Sequence, residues 1–176
     1  MNKSTLYIGI DPGKNGYICI NYKGAIEFKR IPLIGKEYDV RELSEIFGTI
    51  KSLSETVTFT YCVVEDVHAV FGSAAGATFE FGYGVGLLEM GLVANKIPFT
   101  KVAPKKWQKE MFEGIPEQKK PSSTGKTMKT DTKLMALQAA KRLFPDIDLR
   151  DTERAKKPHD GKVDALLICE YANRNF

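Results

Sequence analysis

The sequence predicts a mixed α/β fold, because segments with the two-residue period of strands alternate with segments that have helical spacing. Three strand-like segments, 6–10, 16–21 and 25–31, come first and are separated by the turn sequences Asp-Pro-Gly and Lys-Gly. They predict an antiparallel meander, which disfavours a simple doubly wound sheet. A helix, a strand, a second helix, another strand and further helices follow along the chain.

The later elements are predicted from the spacing of apolar residues and from cap signals. Pro104 suits the first turn of one helix, and Asp131 suits the cap of another. The predicted helices cover 40–53, 73–95, 104–111, 132–143 and 158–171. The remaining predicted strands cover 56–64, ending at Glu65, and 97–102. Glycine is frequent in 73–95 and costs about 1 kcal/mol relative to alanine inside a helix, so we expect close packing there.

The 176 residues are expected to form a single domain, 1–176, with a flexible basic segment at about 114–130. No apolar stretch approaches the roughly 18 residues needed to span a bilayer, and the N-terminus lacks the features of a signal peptide. We therefore expect a cytoplasmic protein with no membrane partner. The three cysteines lie in apolar runs without metal-binding spacing, so we expect them to be buried and free.

Basic charge is concentrated in the second half of the chain. Residues 101–162 contain 16 Lys and Arg against 9 Asp and Glu, a net +7, while the rest of the chain has a net −3 within a total of +4. Such a concentration suits contact with a polyanion such as nucleic acid, although many solvated surfaces are also rich in lysine.

Four carboxylates occupy positions that suit chemistry at one site. Asp11 and Glu65 each end a predicted strand, where rigid backbone presents a side chain to solvent. Asp160 and Asp164 are four residues apart and share a helix face, with Asp164 on the stripe that continues through Ile168. Structural interpretations also exist: a turn residue for Asp11, a strand exit for Glu65 and a helix start for Asp160.

Together the four acids predict a divalent metal site. Carboxylates brought to about 5 Å repel by about 3 kcal/mol per pair at an effective dielectric near 20, so they would require protons or a cation. Hard oxygen ligands favour Mg²⁺ or Mn²⁺. Two such ions, about 3.5–4 Å apart, can activate a water and stabilise the leaving oxygen of a phosphodiester.

Three motifs resemble, in order and spacing, those of the RuvC-type Holliday-junction resolvases, especially phage-type members. They are Ile8-Gly9-Ile10-Asp11-Pro12-Gly13, Val63-Val64-Glu65 before a Gly/Ala-rich helix, and the closing His159-Asp160-Gly161-Lys162-Val163-Asp164-Ala165-Leu166-Leu167. The resemblance implies an RNase-H-like fold with a mixed five-stranded sheet flanked by helices. It also implies a homodimer that makes paired, Mg²⁺-dependent nicks across a four-way DNA junction, in a bacterial or phage-infected cell.

The resemblance also implies roles for individual residues. The acids that match the family's metal-binding positions are Asp11, Glu65 and Asp164. Many relatives have Asp or His three residues before the final Asp, where this chain has Gly161. The fourth role is therefore assigned to Asp160, with His159 as the alternative.

Several residues are predicted to contact DNA. The resemblance places an aromatic or apolar residue against junction bases in the loop after the Glu65 strand, and Phe71 lies in such a loop. Lysines around Trp107 and in the 114–130 segment can neutralise phosphates without reading sequence, while Trp107 itself is interpreted as a core residue. These lysines are Lys105, Lys106, Lys109, Lys119, Lys120, Lys126 and Lys129.

Other functions stay open from the sequence alone. A related RNase-H-like nuclease acting on RNA–DNA hybrids, flaps or RNA would use the same acids, whereas a non-catalytic junction-binding module would gain nothing from them. A sugar-kinase or actin-like ATPase also begins with a strand that ends in an Asp-x-Gly turn, but its second half is missing at 176 residues. The sequence indicates neither a cleavage preference nor a choice between host recombination and phage genome processing.

Overall fold

A computed structural model describes residues 4–68, 74–122 and 124–176. The strands are β1 (Thr5–Asp11), β2 (Tyr17–Tyr22), β3 (Ala25–Arg30), β4 (Leu33–Ile34), β5 (Glu37–Tyr38), β6 (Phe59–Glu65), β7 (Phe99–Val102), β8 (Lys119–Pro121) and β9 (Met128–Thr130). The helices are α1 (Val40–Ser54), α2 (Ala75–Ala94), α3 (Pro104–Met111), α4 (Thr132–Leu143) and α5 (Asp160–Asn175).

The central sheet has five strands in the order β3-β2-β1-β6-β7. β1, β2 and β3 form the predicted antiparallel meander, and β6 and β7 then add to the other edge of β1 as parallel strands. The parallel pairs require crossover connections, which α1 and α2 supply. The predicted mixed five-stranded sheet flanked by helices is therefore confirmed.

Each face of the sheet buries a separate hydrophobic layer. Leu6, Ile8 and Ile10 of β1 face the layer that contains α1 and α2. Because side chains alternate across a strand, Gly9 faces the opposite layer, which contains α3, α4 and α5. A Cβ atom at Gly9 would stand 2.2 Å from the backbone nitrogen of Cys169, so α5 lies directly against the backbone of β1.

The glycines of α2 fall into two groups. Gly84 and Gly91 face the protein, where an added Cβ would stand 2.1 Å from the Tyr38 hydroxyl and 2.3 Å from the Phe47 ring. The close packing expected for this helix is therefore found at these two positions. The other group, Gly76, Gly82 and Gly86, has open space around it.

The structure differs from the predicted elements where the signal was short. β6 begins at Phe59 rather than at 56, because residues 55–58 form a turn after α1, from which the Thr58 backbone N–H donates to Ser4 O. The β4–β5 and β8–β9 hairpins are too short to produce a periodic pattern. The second hairpin lies inside the 114–130 segment, whose flexibility stays a prediction.

Two further expectations concern the cysteines and the membrane. Cys19, Cys62 and Cys169 are buried and unbridged, as expected. Within the described parts of the chain, no helix combines the length and the apolar composition that a membrane span requires.

Candidate active site

Two carboxylates lie at adjacent strand ends. Asp11 is the last residue of β1 and Glu65 the last residue of β6, and the parallel register pairs Ile10 with Val64. The residues that follow this pair are therefore neighbours. Val63 belongs to the same hydrophobic layer as α5, so Glu65, two residues later, faces α5 together with Asp11.

Helix α5 brings two more carboxylates to this point. Asp160 is its first residue and Asp164 lies one turn later. Gly161 fixes the distance to β1, because a Cβ atom there would stand 2.9 Å from a carboxylate oxygen of Asp11. The four predicted acids thus converge between the ends of β1 and β6 and the first turn of α5.

The acids disturb one another's ionisation. Burial, followed by the charges of Asp164 and Glu65, raises the pKa of Asp11 well above its ordinary value. Burial and the charges of Glu65 and Asp160 raise the pKa of Asp164 to about 7. Burial also raises the pKa of Glu65. The cluster therefore resists holding its full negative charge without a cation.

Lys133 supplies part of the positive charge that the cluster needs. This role was not predicted from the sequence. Lys133 lies in the first turn of α4, and its ammonium group pairs with Asp160. Its charge lowers the pKa of both Asp11 and Asp164, against the effect of burial. The Asp131 cap signal placed Lys133 at a helix start, but no signal in the sequence placed that helix start beside α5.

Trp107 holds the carboxylate of Glu65. Its indole Nε1–H donates a hydrogen bond of 2.8 Å to Glu65 Oε1, and this bond opposes the rise in the pKa of Glu65. The ring is fully buried, so the interpretation of Trp107 as a core residue is confirmed. Its second role, as a hydrogen-bond donor to a candidate ligand, was not evident from the sequence.

Three of the four acids, Asp11, Asp160 and Asp164, line a cleft of about 730 Å³. Its walls come from the turn after β1, the first turn of α4, the segment before α5 and one ring of α2. The charged and aromatic lining residues are Asp11, Lys14, Phe81, Lys133, Lys157, His159, Asp160 and Asp164. Such a mixture of acids with basic side chains at the rim suits a phosphate-bearing substrate.

The structure explains the absence of a side chain at position 161. A Cβ atom on Gly161 would stand 2.3 Å from the carbonyl oxygen of Asn15, so an Asp or His there would require the backbone to move. His159, the alternative fourth ligand, caps α5 and has its ring 5.1 Å from that of Tyr17. Its Nδ1 atom is buried and lacks a hydrogen-bond partner among the described residues. The fourth role stays a prediction for Asp160, with His159 as the alternative.

The predicted DNA-contact residues are placed as follows. Lys105, Lys106 and Lys109 are exposed on α3, while Trp107 between them points into the core. Two lysines of the 114–130 segment have acidic partners within 4 Å, Lys119 with Glu117 and Lys120 with Asp131, whereas Lys126 and Lys129 are exposed. Phe71 lies outside the described residues. Contact of all eight residues with DNA stays a prediction.

The four acids have the donor atoms that a divalent cation prefers, but they are not arranged as a coordination sphere. In the described part of the chain, no three His, Cys, Asp or Glu side chains stand in an arrangement that would hold an ion. The site is therefore a cluster of repelling carboxylates rather than a preformed coordination sphere. Its donors are nonetheless all carboxylate oxygens, which match Mg²⁺ or Mn²⁺, and a cation would relieve the repulsion that raises their pKa values.

Comparison with solved structures shows which fold this is. The chain is 13% identical to Thermus thermophilus RuvC in complex with a Holliday junction substrate, covering 97% of this chain and 96% of that chain, with a TM-score of 0.50. It is also 13% identical to the yeast mitochondrial Holliday junction resolvase Ydc2, covering 94% of this chain and 75% of that chain, with a TM-score of 0.53. No protein-family model and no curated protein matches the sequence. The chain therefore has the RNase-H-like fold of the RuvC-type resolvases.

The raised pKa of Asp164 predicts how pH changes the stability of the metal-free protein. An acid whose pKa is 3.8 in the unfolded chain and about 7 in the fold lowers the free energy of unfolding as pH rises between those values. We expect Asp164→Asn, which stays neutral, to be more stable than the parent at pH 8 with chelator by at least about 1 kcal/mol, since one pKa unit corresponds to about 1.4 kcal/mol.

This difference should vanish near pH 3, below both pKa values, where Asp164 is neutral in the folded and in the unfolded chain. Urea unfolding at the two pH values measures it, with Asp146→Asn, on an exposed residue, as the matched control. Equal stabilities of Asp164→Asn and the parent at pH 8 would contradict the clustering of the carboxylates.

The hydrogen bond from Trp107 predicts a change in metal affinity. Trp107→Phe keeps a buried ring but leaves Glu65 without its donor, so we expect binding of Mn²⁺, measured by calorimetry, to weaken about tenfold. Phe112→Leu is the control, because it trims an aromatic ring that packs against Trp107 and leaves the hydrogen bond intact. Equal losses in the two variants would mean that packing, rather than the hydrogen bond, supports the site.

Proposed function

We propose that the protein is a structure-selective DNA endonuclease that resolves four-way junctions by metal-dependent hydrolysis of phosphodiester bonds. The observation that carries this proposal is the convergence of Asp11, Glu65 and Asp164 at one end of an RNase-H-like sheet. Carboxylates from two adjacent parallel strands and from α5 concentrate negative charge that divalent cations can neutralise.

In this proposal Asp11, Glu65 and Asp164 hold the metal, and Asp160 adds a fourth carboxylate. Two Mg²⁺ ions, for which Mn²⁺ can substitute, would supply charge neutralisation at the phosphodiester and activation of a water. Trp107 orients Glu65 through its indole N–H. Lys133 pairs with Asp160 and would be free to contact a phosphate if cations neutralised that acid.

The choice of a four-way junction rests on the proteins that share the fold. The Thermus thermophilus structure contains a Holliday junction substrate, and Ydc2 is a Holliday junction resolvase. A hybrid, flap or RNA substrate would use the same carboxylates, so the test below includes them. A non-catalytic DNA-binding module is disfavoured, because clustered carboxylates beside phosphates would weaken binding.

A homodimer is also proposed, and an outer stripe of α2 supports it. The outer stripe consists of Phe79, Tyr83, Gly86, Met90 and Val93, spaced alternately four and three residues apart as in a helix–helix seam. Phe79 is 73% exposed and Met90 59% exposed, and open space surrounds Gly86. An apolar stripe of this length on one helix suits a second copy of the same helix.

The decisive experiment is cleavage of labelled nucleic acids by the parent and by Asp11→Asn. We expect symmetric nicks in a synthetic four-way junction with Mg²⁺ or Mn²⁺, none with chelator, and loss of at least about a thousandfold in the variant, because removal of a carboxylate disrupts the metal site.

Linear duplex, a flap and an RNA–DNA hybrid are tested beside the junction. Cleavage of the hybrid or flap alone would support metal-dependent nuclease chemistry but contradict the four-way junction as the substrate. Tight junction binding without cleavage under either metal would contradict the proposed catalysis.

The outer stripe predicts the oligomeric state. The parent should sediment as a dimer at micromolar concentration, and Phe79→Glu/Met90→Glu should sediment as a folded monomer, because two buried charges would oppose association. Met128→Glu is the control, since Met128 is 60% exposed and lies on β9, which pairs with β8. A monomeric parent would count against paired nicking.

A further inference from the structure

The segment between α4 and α5 forms a closed loop next to the carboxylate cluster. Arg150 and Pro158 form an antiparallel bridge that closes residues 150–158, here called the basic loop. At the base of this loop, the His159 backbone N–H donates to Leu149 O at 2.8 Å, and Lys162 Nζ of α5 donates to Arg150 O at 2.9 Å. The basic loop therefore has a defined backbone although it contains no regular element.

A second set of contacts ties the basic loop to the sheet. Asp151 accepts hydrogen bonds from the Tyr17 hydroxyl of β2 and from Arg30 of β3, the latter at 2.9 Å. The bond from Tyr17 is the main reason that the pKa of Asp151 lies below its ordinary value, so this carboxylate stays charged. Tyr17 begins the strand that pairs with β1 at Asp11, which places the anchor beside the candidate active site.

The charged residues of the basic loop divide into those with partners inside the fold and those without. Arg150 is held by the carboxylate of Asp148 and by the carbonyl of Glu153. By contrast, Arg154, Lys156 and Lys157 form no ion pair with any described residue. Lys156 and Lys157 are exposed, and Lys157 lines the cleft together with Asp11 and Asp164.

These cations do not serve to neutralise the carboxylate cluster. Lys133 has that role, because it pairs with Asp160 and lowers the pKa of Asp11, whereas Lys156 and Lys157 pair with no carboxylate among the described residues. The basic loop carries unpaired cations, and its backbone is held in place at the rim of the cleft. It is therefore suited to bind phosphates, since its backbone needs little ordering on binding.

We propose that the basic loop binds the sugar–phosphate backbone of the cleaved strand, next to the phosphate that faces the carboxylates. The inference rests on the proposed function and assigns the basic loop as a surface that binds the DNA substrate. Lys156 and Lys157 would neutralise phosphates without reading bases, and Asp151, through Tyr17 and Arg30, would hold the loop in place.

The test is binding of a synthetic four-way junction in chelator, so that no cleavage occurs, over about 50–200 mM salt. Lys156→Ala/Lys157→Ala should make the slope of log affinity against log salt less negative by roughly 0.9 for each lost phosphate contact, or about 2 in all. Lys156→Arg/Lys157→Arg should restore the slope of the parent.

The matched control is Lys23→Asn/Lys51→Ala, which removes the same charge elsewhere. Lys23 follows β2 at the end of the sheet opposite Asp11, and its positive φ of 53° is one that asparagine tolerates. Lys51 lies in the last turn of α1, which leads to the start of β6 rather than to Glu65. The slope of this control should equal that of the parent.

The outcomes separate this inference from the proposed function. An unchanged slope in Lys156→Ala/Lys157→Ala, or an equal change in the control, would overturn the role of the basic loop and leave the proposed cleavage untouched. A reduced slope in a protein that cuts no substrate with Mg²⁺ or Mn²⁺ would support the basic loop and overturn the proposed catalysis.

Discussion

The approach of α5 to the backbone of β1 is the contact on which the candidate active site depends. Gly9 permits it, since any side chain there would collide with the backbone of Cys169 and Ala165. Once α5 lies at that distance, Asp164 reaches the end of β1 and meets Asp11. The same closeness recurs at Gly161, against the turn that follows Asp11. Two glycines on different elements thus set the separation of the acids.

The carboxylate cluster destabilises the fold that brings its members together. Burial and mutual repulsion raise the pKa values of Asp11 and Asp164, so each ionised acid lowers the free energy of unfolding. The two hydrophobic layers must offset this cost, and Leu6, Ile8 and Ile10 of β1 contribute to that offset as fully buried side chains. A bound cation would reverse the sign of the effect, which couples metal affinity to stability.

The sequence predicted those parts of the structure that leave a local signal. Alternation and turn residues predicted the meander, and strand ends predicted Asp11 and Glu65. Trp107 and Lys133 left no such signal, because their partners Glu65 and Asp160 lie 42 and 27 residues away. The pairing of β7 with β6 brings α3 to Glu65, and the packing of α4 against α5 brings Lys133 to Asp160. Hydrophobic periodicity does not determine which polar atoms meet.

Helix α2 connects the proposed dimer surface to the cleft. Its inner side contacts the turn after Asp11, where Glu80 pairs with Lys14 and Phe81 lies near Gly13. Tyr38 supports the same region, since its ring lies 5.5 Å from the Lys14 ammonium and meets Tyr83 edge-on. Tyr83 also belongs to the outer stripe, so the stripe adjoins this region. Association through the stripe would therefore restrain the turn that presents Asp11, so that a dimer and an ordered carboxylate cluster would stabilise each other.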